Sequence, residues 1–278
     1  MKITTLLSLT ALTVFSGISS FAQGALTPPA GAPAPVMKSL DQIETRTPLV
    51  AGQPGVFVGA DNAIYISASG SYYLTQNLVI SNANTTAITI GSQTDVMLDL
   101  NGFSILCTNT GSSGIAAAIL ISGSSGQTVV IRNGFIRGGG TNSIYGIRQS
   151  PILSNVLVDN VHIFNVKYGI ALSHQFGQTT AHHCSVERTG MLGIEADIVT
   201  DCTVATVQGD SGIGINGSQV SGCVVNSGPY PSIGIQGQII SQSYVSRGNL
   251  GLCISAYVAN GCLTSGGTNI INYKYNMP

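Results

Sequence analysis

Glu195 and Asp197 are the two residues whose type and spacing could most directly do chemistry. Hydrolysis of a glycosidic bond generally uses two carboxyl groups, about 5–5.5 Å apart in retaining enzymes and about 6.5–9.5 Å apart in inverting ones. Side chains two positions apart on one β-strand share a face and lie about 6.5–7 Å from each other. The pair therefore has the spacing of an acid and a base, although two carboxylates at this separation are also common by chance.

The run His182-His183-Cys184 contains the residue types that bind zinc and copper. Neighbouring side chains on a β-strand alternate between its faces, which predicts that His182 and Cys184 point one way and His183 the other. Because three ligands cannot converge from this run alone, we expect no metal site, and we expect no cofactor. His182 shares its repeat position with Arg132 and Asp159, which favours a surface row of ion pairs.

An internal repeat must position these residues, and its first half is a Gly followed by a large aliphatic residue. Successive pairs are separated by 17 to 24 residues. The pairs are Gly146-Ile147, Gly169-Ile170, Gly193-Ile194, Gly214-Ile215, Gly234-Ile235 and Gly251-Leu252. We expect each Gly at a corner where the backbone needs a positive φ or leaves no space for a Cβ atom.

The second half of the repeat is a hexapeptide with aliphatic or small residues at its first and last positions. It occurs at residues 131–136, 158–163, 181–186, 199–204, 220–225, 240–245 and 258–263. The two halves alternate throughout this region, and the units leave no room for the crossover helix of a βαβ unit. Equivalent residues recur once per unit, as they do when each turn of a coiled chain stacks on the last.

This pattern predicts an all-β fold, a single-stranded right-handed parallel β-helix (a solenoid) of about nine coils counted from residue 64. Stacked strands lie about 4.8 Å apart, so each repeated position becomes a row of like residues along the axis, with Ile and Val inside. A β-sandwich is the alternative, but its strands need not resemble one another in sequence.

Six cysteines in the chain raise the question of disulfides. Cys184, Cys202 and Cys223 share the fourth hexapeptide position, which predicts a row of buried free thiols that act as small apolar fillers. A bridge within this row, or one that joins Cys253 to Cys262, is the alternative.

The residue after each Gly-Ile pair is predicted to face outward. This outward row contains Arg148, Ala171, Glu195, Asn216 and Gln236. It is polar without being strongly charged, as a sugar-binding face would be, although ordinary solvated surface would look the same. With Asp197 added, its polar members are our candidate substrate-binding residues, and the catalytic residues stay unassigned.

Three segments carry a resemblance to a known family: Gly70–Leu78 (GSYYLTQNL), Leu98–Phe103 (LDLNGF) and Ile131–Ile136 (IRNGFI). They resemble bacterial right-handed parallel β-helix proteins of the pectate-lyase-like superfamily, over about residues 60–265. Residues 37–43 and 46–48 also resemble the leader of exported, uncharacterised members. Members that act on pectin hold the substrate along one strand face, so the resemblance makes the outward row the leading candidate site.

The resemblance predicts the fold but indicates almost nothing about the activity. The Asp-Asp and Gly-His-Gly signatures of galacturonases are absent, and Arg148 lacks the calcium-binding carboxylate cluster that accompanies the base of the lyases. The chain also has no Trp on which a sugar could stack. We therefore expect a non-catalytic polysaccharide- or surface-binding or structural protein, and a polysaccharide lyase or glycoside hydrolase is the alternative.

The N-terminus has the features of a secretory signal. Lys2 precedes an apolar run to about Ile18, and Ser20-Phe21-Ala22 predicts cleavage after Ala22. The run is shorter than the roughly 20 residues that span a bilayer, so a retained anchor is the less favoured alternative. We expect a signal peptide at 1–22, a Pro/Ala/Gly linker with one possible short helix at 23–55, and the β-helix at 56–278. The protein is expected outside the cytoplasm, in the periplasm, in the medium or on the cell surface.

The amino-acid composition restricts the kinds of molecule that the protein is expected to bind. Charged residues are 8% of the chain, against about 25% in ordinary soluble domains, and the net charge is −1. The sequence has no cluster of Lys or Arg, so it lacks the basic patch that is typical of proteins that bind nucleic acid. We expect no membrane span and a polysaccharide as the possible ligand, and the composition leaves the oligomeric state open.

Overall fold

The computed structural model describes residues 46–276 except 83, 92–94, 109–115, 123–125, 151–153, 173–177, 210–211, 228–232 and 248–250. The predicted signal peptide, and the linker with its short helix up to residue 45, lie outside the described residues. The described residues all belong to one compact unit. Among the described residues, no helix has the length and apolar character needed to cross a membrane.

The described part of this unit is built from short β-strands and a single 3₁₀ turn at Ala60–Asn62. The first strands are β1 Thr47–Pro48, β2 Val56–Val58, β3 Ile64–Ile66, β4 Gly70–Tyr73, β5 Leu78–Ile80, β6 Ile88–Ile90, β7 Val96–Asp99, β8 Ser104–Cys107, β9 Ala117–Ile121, β10 Gln127–Arg137, β11 Tyr145–Gln149 and β12 Ser154–Ala171. They are followed by β13 Thr179–His182, β14 Ser185–Glu195, β15 Ile198–Thr200, β16 Thr203–Val207, β17 Ile213–Ser221, β18 Val224–Ser227, β19 Ile233–Ser241, β20 Tyr244–Arg247, β21 Leu252–Asn260, β22 Leu263–Ser265 and β23 Thr268–Tyr275.

The strands pair in parallel with their equivalents in neighbouring units, on both sides except near the ends of the stack, and β2–β3 is an antiparallel exception. The buried Ile row shows the register along the stack. Its directly paired members are Ile119, Ile147, Ile170, Ile194, Ile215, Ile235 and Ile254, all with no exposed surface. The prediction of an all-β chain with parallel strands is thereby confirmed, and the pairing is compatible with a parallel β-helix.

The register corrects the sequence repeat in its last unit. Ile254 rather than Leu252 lies opposite Ile235, and Ala259 rather than Val258 lies opposite Ile240. The Gly-Ile pattern fails here because Cys253 stands where the earlier units have Gly. A bulge follows between β21 and β23 at this point, since the next strand shifts its register between Leu252 and Ile254.

The glycines of the Gly-Ile pairs are required by close stacking and not by a positive φ. A Cβ atom added at Gly193 would lie 2.4 Å from the carbonyl oxygen of Gly214 in the next unit and 2.5 Å from Cγ1 of Val204. Gly146, Gly169, Gly214 and Gly234 have the same relation to the unit that follows, with distances of 2.3–2.6 Å to its carbonyl oxygen. A side chain at these positions would push two neighbouring units apart.

Gly193→Ala should therefore destabilise the protein by about 1–3 kcal/mol, the usual cost of overpacking a tight interior. Gly59→Ala is the matched control, because the Cβ atom there would meet nothing nearer than Ala63 O at 3.7 Å, and φ is −98°. Urea unfolding of both variants measures the difference. Equal midpoints for the two variants would mean that the coils are not stacked as closely as this.

A corner lies at the third position of each hexapeptide, where the backbone is left-handed. In the last unit the register moves the hexapeptide from 258–263 to 259–264, because Ala259 lies opposite Ile240. The residues are Asn133, Asn160, His183, Asp201, Gly222, Gln242 and Gly261, with φ between 46° and 64°. This turn interrupts the alternation of a strand, so the fourth position faces the interior. Gly134, Val161, Cys184, Cys202, Cys223, Ser243 and Cys262 are all buried there.

The prediction of an interior cysteine row at this fourth position is confirmed, and Cys262 extends it. All six cysteines are buried free thiols in the structure. The Sγ atom of Cys202 accepts a hydrogen bond from the backbone N–H of Cys184 at 3.4 Å. The Cys thiols thus satisfy backbone groups at the corner as well as filling interior space.

Candidate functional site

The outward row lies on one strand of each stacked unit, directly after the buried Ile row. Arg148 pairs with Ala171, Ala171 with Glu195, Glu195 with Asn216 and Asn216 with Gln236. The row continues through Ser255 to Ile270. The structure therefore brings four of the five predicted site residues into one line, with Ala171 between Arg148 and Glu195.

Glu195 and Arg148 are both held by neighbouring side chains. Asn216 donates a hydrogen bond from Nδ2 to Oε1 of Glu195 at 3.0 Å. The guanidinium of Arg148 lies 4.8 Å from the ring centre of Tyr145, which stacks on Tyr168 at 4.3 Å. The two charged members of the row are thus each in contact with a different neighbouring side chain.

Asp197 does not share a strand with Glu195, contrary to the sequence prediction. Strand β14 ends at Glu195 and β15 begins at Ile198, so Asp197 occupies the bend between them. Its Oδ2 accepts hydrogen bonds from the backbone N–H of Thr179 at 3.0 Å and from the Thr179 hydroxyl at 3.1 Å. The period-two argument for an acid and base on one face is wrong here, because a corner separates the two carboxylates.

The downstream half of the outward row borders a cleft of about 380 Å³. Asn216, Gln236 and Ser255 contribute polar side chains from the row itself. Gly217, Gly237 and Ala256 follow them in register and supply small residues beside them. The remaining lining residues are Ser218, Gln238, Tyr257, Ile270 and Asn272.

This cleft has a restricted chemistry. Among the described residues that line it there is no carboxylate, no histidine and no cation. Amide groups can both donate and accept hydrogen bonds, and the ring of Tyr257, which is 55% exposed, offers an apolar surface. The arrangement can bind a neutral, hydroxyl-rich molecule, and Tyr257 is the one described lining residue of a type that serves as a general acid or base.

A second surface, which sequence reasoning missed, is a cleft of about 410 Å³ next to the left-handed corner. Phe135 and His162 stack there with ring centres 5.3 Å apart. Phe164 lies beside them, with the guanidinium groups of Arg137 and Arg188 each 5.4 Å from its ring centre. The sequence contains a signal for this surface. Phe135 and His162 stand at the fifth hexapeptide position and Phe164 directly follows a hexapeptide, and both positions face outward.

The predicted row of Arg132, Asp159 and His182 lies in register beside the corner, but Arg132 pairs with Asp99 and not with Asp159. The Nε atom of Arg132 lies 3.1 Å from Oδ2 of Asp99, and Nδ1 of His182 lies 3.0 Å from Oδ1 of Asp159. The prediction that His183 points away from His182 is wrong, because His183 adopts the left-handed conformation with φ 50°. The two imidazole rings lie side by side, with centres 3.6 Å apart.

No family model, curated protein or solved structure matches this chain. The resemblance to the pectate-lyase-like superfamily therefore stays a prediction that rests on three short segments and is compatible with the parallel strand pairing. Any assignment of function must come from the surfaces described above.

Proposed function

We propose that this protein is exported, folds as a single-stranded right-handed parallel β-helix of about nine coils of the pectate-lyase-like type, and binds a polysaccharide without cleaving it. The fold proposal is supported by the parallel register that runs through the buried Ile row. Export is supported by the apolar N-terminal run and the small residues up to Ala22. The cleft that contains Asn216, Gln236 and Tyr257 carries the functional proposal.

The cleft suits a neutral glycan for three reasons. Its amide side chains match the hydroxyl groups of a sugar, which donate and accept hydrogen bonds. Tyr257 can pack against a sugar ring while its hydroxyl stays in water. Asn216, Gln236 and Ser255 also stand on successive strands about 4.8 Å apart, so a ligand built from repeated units could meet a repeated set of polar groups.

Binding without turnover is favoured by the way the acidic and basic groups are used. The carboxylate of Glu195 accepts a hydrogen bond from Asn216, and that of Asp197 accepts two from Thr179. Arg148 lies against the ring of Tyr145. A lyase or hydrolase would need an acid and a base directed at a common substrate position, and among the described residues that line the cleft only Tyr257 is of a type that serves as either.

Replacing cleft residues should lower glycan affinity. Stability should change little at Gln236 and Tyr257, whereas Asn216→Ala also removes the hydrogen bond to Glu195 and should cost some stability. Asn216→Ala and Gln236→Ala should each weaken binding by about two- to tenfold, because each removes one net hydrogen bond of about 0.5–1.5 kcal/mol. Tyr257→Ala should weaken it by removing the apolar platform. A glycan array followed by titration calorimetry on the best ligand measures these changes.

Two matched controls separate the cleft from the general surface. Gln219→Ala changes an exposed amide on the same strand as Asn216, and Tyr244→Ala changes a 39% exposed tyrosine away from the cleft. Both should bind as the parent does. Equal losses in the cleft variants and the controls would remove the cleft as the site. Release of new reducing or unsaturated ends from the bound glycan would instead establish the lyase or hydrolase alternative.

A further inference from the structure

We infer that Asp159, His182 and His183 form a binding site for one divalent transition-metal ion of the zinc and copper class. One potential ligand atom from each residue lies within 4.8 Å of the others. The three residues come from two stacked coils, at the left-handed corner, and their side chains are half-buried or exposed. An ion could reach them from solvent.

The distances between the ligand atoms suit a small ion. Oδ1 of Asp159 lies 3.0 Å from Nδ1 of His182 and 3.8 Å from Nδ1 of His183. In a tetrahedral zinc site with bonds of about 2.0–2.1 Å, neighbouring ligand atoms are about 3.3–3.5 Å apart. The two distances lie on either side of this value, and the ligand nitrogens of the two histidines lie within 4.8 Å of each other, so side-chain rotations would bring all three atoms to one ion.

The backbone sets up this convergence. Asp159 and His182 are directly paired on adjacent parallel strands, which places their side chains on the same face and next to each other. His183 follows in the left-handed conformation at a position that is Asn in the two preceding hexapeptides. That turn interrupts the alternation of the strand and lays the His183 ring against His182.

Asp201, on the next coil, lies beside the proposed ligands. Its Oδ2 is 3.9 Å from Nε2 of His182. If His182 binds the ion through Nδ1, its Nε2–H faces this carboxylate. A metal-bound histidine usually directs its second ring nitrogen at such an acceptor, which fixes the tautomer and makes the ligand more basic. The 3.9 Å separation is longer than a hydrogen bond, so a small movement of either side chain would let Asp201 act as a positioning residue for His182.

The ligand types decide the class of ion. Two imidazoles with one carboxylate suit zinc, copper and nickel, whereas calcium and magnesium prefer oxygen ligands throughout. Three protein ligands leave at least one coordination position for water or for a group of another molecule. The site lies outside the cleft proposed for glycans, so the two proposals are independent.

Titration of the tag-free full-length chain with Zn²⁺, by calorimetry, and with Co²⁺, by visible absorption, tests the inference. We expect one high-affinity ion per chain, and no competition from excess Ca²⁺ or Mg²⁺. His183→Asn should lower the affinity at least tenfold, and it keeps a residue that tolerates the left-handed backbone. Asp201→Asn should lower it about 10- to 100-fold through His182.

His162→Ala is the matched control, because it removes an exposed imidazole from the strand that carries Asp159 while leaving the three ligands in place. Its affinity for Zn²⁺ should equal that of the parent. Circular dichroism and melting of each variant show that the fold is kept. Absence of saturable binding in the parent, or an affinity that His183→Asn leaves unchanged, would overturn the site.

Discussion

Ile235→Asp should destabilise the protein by several kcal/mol, whereas Ile239→Asp on the same strand should change its stability by no more than about 0.5 kcal/mol. Ile235 has no exposed surface and lies between Ile215 and Ile254 in the stack. A carboxylate there would be removed from water without a partner. Ile239 is 48% exposed, so its replacement leaves the new charge hydrated.

The pair is informative because residue type, strand and substitution are identical and only the side of the sheet differs. Since whole domains are stable by only about 5–15 kcal/mol, the Ile235 variant should be largely unfolded or should melt far below the parent. Circular dichroism with urea unfolding measures both variants. Similar midpoints for the two would contradict the inward assignment of the Ile row.

The parallel register could be predicted wherever the repeat keeps its residue types. Ile147, Ile170, Ile194, Ile215 and Ile235 each follow a Gly, and the close approach of the next parallel strand is the physical reason for that Gly. The prediction failed at the last unit, where Cys253 replaces the Gly. The register between β21 and β23 shifts there, between Leu252 and Ile254. A pattern based on residue type cannot predict where the backbone changes its geometry to accommodate a different residue.

The candidate sites show the same limit. The outward row was predictable, because a residue next to a buried Ile on a strand must face the other way. The cleft was not, since Tyr257, Ile270 and Asn272 come from the last strands, where the repeat is irregular. The convergence of His182 and His183 was missed because period-two alternation holds only within a strand, and the left-handed φ of His183 breaks it.

In the native protein, Cys107 should react with an alkylating reagent roughly a thousand-fold more slowly than in denaturant at pH 8. Burial, with a smaller contribution from the Asp61 carboxylate, raises the pKa of the Cys107 thiol to about 12 from its ordinary value of 9.0. The thiolate is the reactive form, and its fraction at pH 8 falls by about that factor. Pulsed alkylation with mass spectrometry measures each cysteine separately.

The denatured chain is the control, and all six cysteines should label there at the rate of an ordinary thiol. Burial also raises the pKa of Cys262, so this residue should be protected in the native state as well. Rapid native labelling of Cys107 would contradict its buried position. A non-reduced peptide map that links Cys184 to Cys202, or Cys253 to Cys262, would show disulfides in place of the interior thiols.

The raised pKa of Cys107 also predicts how stability responds to alkaline pH. Below about pH 9 the thiol is protonated in both the folded and the unfolded chain, so the stability that comes from burying it is fully present. Between about pH 9 and 12 only the unfolded chain loses the proton, and each pH unit removes up to about 1.4 kcal/mol through this one group. Cys107→Ala should weaken this alkaline dependence by that slope, although the variant starts from a lower stability because it leaves a small cavity. Urea midpoints of parent and variant that fall in parallel from pH 9 to pH 11 would show that Cys107 titrates normally and lies in contact with water.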